Sequence, residues 1–147
     1  MDIHVFTKDP VIEIDGVKYH HHPNGGGLVA ETAEVDDSAF IGPFAKVCGS
    51  GRVCDQAFIF GNAWVFDSAV VADDAQIFGN ARIFGNARVA GEAKVYGFAY
   101  VYGDALVSGM AEVSEKASVC GRARLHGAER IGGESKVTGE ELLANIR

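Results

Sequence analysis

Three consecutive histidines, His20, His21 and His22, are the densest set of metal-ligating side chains in this 147-residue sequence. Alternation along an extended segment would turn His20 and His22 to one side, where two imidazoles can hold a metal ion. A catalytic zinc site would need a third ligand, for which His4 or a neighbouring subunit is the source. The tract runs into His22-Pro23-Asn24-Gly25-Gly26-Gly27, a turn-forming stretch, so the simpler expectation is a solvated hairpin end with no metal and no cofactor. Cys48, Cys54 and Cys120 form no C-x-x-C pair, a usage that suits a reducing compartment. There is no G-x-x-x-x-G-K-[ST] loop, no paired carboxylates and no Ser/His/Asp constellation.

What would position any functional side chain here is a repeat. Residues 75–92 read AQIFGNARIFGNARVAGE, and the phrase A-x-[IV]-x-G-x keeps its register in both directions. Every sixth residue from Val29 to Leu143 is Val, Ile or Leu, twenty positions in all. Two places before them the residue is Ala at 33, 39 and 45 and at every sixth position from 57 to 123; two places after them Gly dominates. A period of six is neither the 3.6 of an amphipathic helix nor the two of a plain strand. It fits a short strand, small-in, out, large-in, out, followed by a corner whose Gly-Asn or Gly-Asp tolerates positive φ. Three hexads make a triangular coil, and coils stacked about 4.8 Å apart pair their strands in parallel.

Twenty hexads at three per coil predict an all-β parallel β-helix of between six and seven coils over residues 27–147. Residues 1–26 form an N-terminal hairpin cap and linker, since VIEIDGVKYHH alternates about Asp15-Gly16. The C-terminal ELLANIR offers Leu142, Leu143 and Ile146 to close the last coil. With 48% hydrophobic residues the chain is expected to fold. Its 13 basic and 20 acidic residues give a net charge of −7, which argues against nucleic acid and anionic membranes as partners. No run of 18 apolar residues and no signal-like N-terminus occur, so a soluble, cytoplasmic protein is expected.

The register assigns each residue to a face. Face A is centred on Val29, Val47, Val65, Ile83, Val101, Val119 and Val137; face B on Val35, Val53, Val71, Val89, Val107, Leu125 and Leu143; face C on Ile41, Ile59, Ile77, Val95, Val113 and Ile131. Outward aromatics are confined to two of them. Face A carries Trp64, Phe66, Phe84, Tyr100 and Tyr102, and face C carries Phe40, Phe58, Phe60, Phe78 and Tyr96. Phe44 and Phe98 fall on corners. Ten outward rings at about 100 Å² each would expose on the order of 1,000 Å², more than a monomer usually shows.

The hexads from about residue 27 to 143 resemble the hexapeptide-repeat, left-handed parallel β-helix superfamily, which includes acyltransferases and γ-class carbonic anhydrases. The strings IFGNARIFGNA and VYGFAYVYGDA are most similar to Gly-Asn-Ala repeats of uncharacterised bacterial and bacteriophage proteins. The resemblance implies left-handed winding, and its parallel trimers agree with a heterologous contact of face A on face C closing as a ring. The expected assembly is therefore a homotrimer with Phe58, Phe60, Trp64, Phe66, Phe78, Phe84, Tyr96, Tyr100 and Tyr102 in its contacts. The superfamily's acyltransferases use a histidine near an intersubunit cleft. Here only His126 lies in the repeats, on face B, away from the aromatic faces. Arg52, Arg88 and Arg124 also project from face B, where an anion could dock, but at about 10 Å apart they cannot grip one carboxylate together. The superfamily's transferases commonly carry extra helices and an extended loop projecting between coils, and the unbroken hexads lead to the expectation of neither here. Two functions follow in order: a non-catalytic trimeric scaffold or binding protein, phage-encoded and acting by protein contact, then an acyltransferase-like enzyme using acyl-CoA or a nucleotide sugar in intersubunit clefts.

Overall fold

A computed structural model describes residues 11–139, so His4 and the C-terminal Leu142, Leu143 and Ile146 lie outside the described residues. The chain runs through β1 (Ile12–Ile14), β2 (Val17–His21), β3 (Leu28–Ala30) and eighteen strands of two residues, from Glu34–Val35 to Lys136–Val137. Among the described residues there is no helix. The strands form sheets of nine, six and six members, the three faces of a parallel β-solenoid of about six stacked coils. Registers are those expected from the hexads: Gln76 pairs with Phe58 on one side and Lys94 on the other, and Arg82 with Trp64 and Tyr100.

Each regular strand is shorter than the four residues the pattern suggests, but the hydrogen bonding is not. Gln76 N–H donates to Ala93 O at 2.9 Å, Phe78 N–H to Val95 O at 2.9 Å and Asn80 N–H to Gly97 O at 2.7 Å. Ala81 N–H turns back to Phe78 O at 3.3 Å and closes the corner. Most backbone groups of a hexad therefore find partners in the coil itself or the next one. Inside, Ala75, Ile77, Ala81, Ile83, Ala87 and Val89 are all fully buried. Alanine flanks the corners because two faces converge there and leave no room for a larger side chain. The last coil departs from the pattern: Glu129 and Ser135 take alanine positions, and Ile131 is only half-buried.

From the second coil onward the corners take positive φ, and two chemistries supply it. Gly79 has φ 66°, and an added Cβ would lie 2.8 Å from Gly97 N. Asp55, Asp67, Asp73 and Glu115 hold φ of 57–58° with a side chain in place. Their carboxylates compensate by accepting the corner N–H of the following coil. Asp55 Oδ2 accepts from Asp73 N–H at 3.2 Å, Asp73 Oδ2 from Gly91 N–H at 2.9 Å and Asp67 Oδ2 from Gly85 N–H at 3.1 Å; Glu115 does the same to Gly133.

At the N-terminal end, β1 and β2 form an antiparallel hairpin through Asp15 and Gly16, both at positive φ, as a two-residue turn of matching twist requires. β2 pairs antiparallel with β3 and so extends face A by two strands. The linker folds over the first coil: Gly27 N–H donates to Ile41 O at 2.9 Å and Ile41 N–H to Asn24 O at 3.0 Å.

The corner chemistry makes a graded prediction. Gly79→Asp should be tolerated better than Gly79→Val by about 1–2 kcal/mol in urea denaturation, because only aspartate both visits this backbone region and can accept the Gly97 N–H.

Candidate interaction surface

In-register parallel pairing places each outward residue directly over its counterpart eighteen residues away, and on faces A and C this builds aromatic ladders. Phe60, Phe78 and Tyr96 stack at centroid spacings of 4.8 Å with planes 7° and 2° from parallel. Phe66, Phe84 and Tyr102 do the same at 4.9 and 4.8 Å, within 5° and 3°. Phe40 and Phe58 form a shorter stack at 4.5 Å. The stacked faces are turned toward one another along the solenoid, so solvent meets ring edges. Those edges carry the positive part of the aromatic quadrupole. A row of edges suits apolar packing and contact with carbonyl or carboxylate oxygen, and cannot lie flat on a sugar ring.

Stacking shelters much of each ring. Of the nine contact candidates only Phe58 and Tyr100 are exposed; Phe60, Trp64, Phe66, Phe78, Phe84, Tyr96 and Tyr102 are half-buried. Tyr96 further donates its hydroxyl hydrogen to Glu112 Oε1 at 3.1 Å. Trp64 is held between two cations of its own column, with Lys46 Nζ 4.6 Å and Arg82 Cζ 4.3 Å from the indole centroid. Arg82 Nη1 is buried without a hydrogen-bond partner, so the indole face is what offsets its desolvation. Neither cation was singled out by its spacing; the shared column of 46, 64 and 82 was the available signal.

The other candidates are dispersed. His20 is exposed, whereas His22 lies just beyond β2, is 3% exposed and has Nε2 2.9 Å from Ala39 O. The expected common side for His20 and His22 is therefore corrected: the strand ends at His21, and the turn carries His22 inward. His21 Nδ1 is held 2.7 Å from Gly26 O. Among the described residues no three His, Cys, Asp or Glu side chains gather at metal-binding distance. His126 is exposed on face B, and its backbone N–H donates to Glu129 Oε1 at 2.9 Å. Arg52 is engaged by Glu34 at 3.1 Å in an exposed pair worth little. Arg88 and Arg124 edge a shallow concavity with Asn86, Asp104 and Leu106. A second concavity follows the corner between faces B and C, lined by Asp55, Asp73, Asp74 and Glu92.

The thiols of Cys48, Cys54 and Cys120 are free. Burial pushes Cys48 and Cys54 up, helped at Cys54 by Asp36. The phenol of Tyr19 is raised by burial and by Cys48, and that of Tyr102 by its hydrogen bond with Cys120 and by burial.

Two overlapping stretches, residues 75–91 and 81–97, match the family model described as the YdcK beta solenoid repeat. The likeness falls on the most regular coils and supports a repeat β-solenoid family. No curated protein and no solved structure matches the chain.

Three measurements check this surface. Arg82→Met should leave stability within about 1 kcal/mol of the original, since the lost cation was incompletely satisfied, while Trp64→Ala should cost about 2–4 kcal/mol in urea denaturation. The raised thiols and phenols are neutral in the fold and resist ionising there. Their contribution is complete below the ordinary thiol and phenol range and is lost as pH rises through the raised values, so thermal midpoints should fall on the alkaline side. At neutral pH iodoacetamide should modify Cys48 and Cys54 more slowly than free cysteine, as followed by mass spectrometry.

Proposed function

We propose that this chain is a non-catalytic β-helix scaffold, a homotrimer whose rigid surface binds a protein partner. One observation carries it: faces A and C bear aromatic ladders, and face B bears none. If ladders served only to stabilise stacked coils, all three faces would profit equally. Restriction to two adjacent, non-identical faces instead fits a heterologous contact repeated around a closed ring. Phe, Tyr, Trp and Arg together are also the side chains that dominate the centres of protein interfaces.

The unbroken hexads and the Gly-Asn-Ala phrases support assigning the helix to the left-handed hexapeptide-repeat type, with a bacteriophage source suggested by resemblance. Three free thiols accord with a reducing cytoplasm. No helix among the described residues is long and apolar enough to cross a membrane. The transferase alternative lacks a comparable support, because His126 stands on the face without aromatics.

Light scattering at micromolar concentration should give three times the chain mass, and a one-chain mass would overturn the trimer. Calorimetry with coenzyme A and acetyl-coenzyme A should show no binding heat. Saturable heat at one site per chain would favour the acyltransferase-like alternative instead.

A further inference from the structure

The trimer proposed above leaves open which part of each subunit lies on the three-fold axis, and the three corners differ enough to decide it. The corner between faces B and C carries a column of acids, among them Asp37, Asp55, Asp73, Asp74 and Glu92. The corner between A and B carries Glu31, Asp67 and Asp104, with Arg122 as its one base among the described residues. The corner between C and A is uncharged through its central coils, where it reads Gly61-Asn62, Gly79-Asn80 and Gly97-Phe98; charge enters only at Glu115, Lys116 and Glu134. A three-fold axis brings three copies of one corner together. Acids there would face their own copies at close range, whereas amides and a phenyl ring would not.

Exposure points to the same corner. Phe44 and Phe98 are the two most exposed aromatic rings among the described residues, at 74% and 58%. Both sit on the C/A corner, three coils or about 14 Å apart along the solenoid. Neither belongs to a ladder, so nothing within the subunit shelters them. The corner is also the edge shared by the two aromatic faces, with Phe78 and Tyr96 beside it on face C and Trp64 and Tyr100 beside it on face A.

The prism shape then limits the contact. A triangular coil of three equal hexads has corners of about 60°, so three copies fill only about half of the turn around an axis and leave wedges of about 60° between facing sides. Packing face A flat on face C would instead rotate each copy by about 60° and close with about six. We infer that the C/A corner forms the three-fold axis, with Phe98 of three copies packed on one another and the strip containing Phe78 on one copy against the strip containing Trp64 on the next. This rests on the trimeric reading. It follows that the ladder Phe66, Phe84 and Tyr102, at the far edge of face A, lines an outward-opening cleft and stays available to a partner in the assembled trimer.

Phe98→Glu would set three carboxylates on the axis, and light scattering should find it monomeric at a concentration where the unsubstituted chain is trimeric. Phe84→Glu, on the cleft wall, should remain trimeric. As an independent check, a short bis-maleimide should couple subunits of Asn80→Cys into covalent dimers, and should not do so for Asn86→Cys on the A/B corner or for the unsubstituted chain. Circular dichroism of each variant establishes that the β-solenoid is retained. A trimeric Phe98→Glu, or no coupling of Asn80→Cys, overturns the axial corner while the trimer stands. A six-chain mass for the unsubstituted protein overturns it in favour of flat packing. A monomeric unsubstituted protein removes the trimer itself.

Discussion

The backbone bond from one coil to the next is the constraint everything else obeys. Because Gln76 N–H finds Ala93 O and Phe78 N–H finds Val95 O, residue i must stand beside residue i + 18, coil after coil. A one-residue slip would exchange inward Ile77 for outward Phe78 and bury the wrong set. Side chains are thus sorted into columns, and what matters about a position is less its neighbour in sequence than its neighbour in the column.

Columns of like charge are the hazard of such an arrangement, and the faces avoid it. The outward column through Lys46, Trp64, Arg82 and Tyr100 separates its cations with aromatic rings that both can lie against. The column Glu34, Arg52, Val70, Arg88, Leu106, Arg124 spaces its arginines with aliphatic residues, and Lys94, Glu112, Arg130 alternate in sign. The corners break this rule, with Asp55 directly before Asp73. There each carboxylate has a use that offsets the repulsion: it accepts a backbone N–H from the coil beyond and tolerates the left-handed φ of the turn. The same stacking turns identical rings into ladders, since Phe60, Phe78 and Tyr96 have nowhere else to place their faces.

How much of this can be read from residues alone follows from the same constraint. The hexad from Ala75 to Asn80 carries its own strand, corner and core positions, so face membership and column partners were legible for every repeat. Features set by chain segments without the period were not. His22 looks like a strand partner of His20 by alternation, but the linker that returns over Ile41 turns it inward onto Ala39 O. The extent of ring exposure was also beyond a column list, because it depends on side-chain torsions that bring ring planes within a few degrees of parallel. Arg82 could be placed over Trp64 by register, yet its buried, unpartnered Nη1 emerges only from packing.

The solenoid's shape bears on what chemistry it can support. Catalysis needs several groups converging on one substrate, usually within a concave, water-excluding site. Outward side chains on a triangular prism do the opposite: those on one face run parallel, and those across a corner diverge. This is why His126, the face B arginines and the corner acids remain separate features instead of one constellation. Such a surface is well suited to recognition, since short strands bonded on both sides hold their side chains with little freedom left to lose on binding. Convergence can arise only where a second body supplies the facing wall. For this chain the distinction between scaffold and enzyme therefore turns on what its faces meet, and the departures from the repeat, the ladders on two faces and the uncharged corner between them, are the features on which the proposed assembly rests.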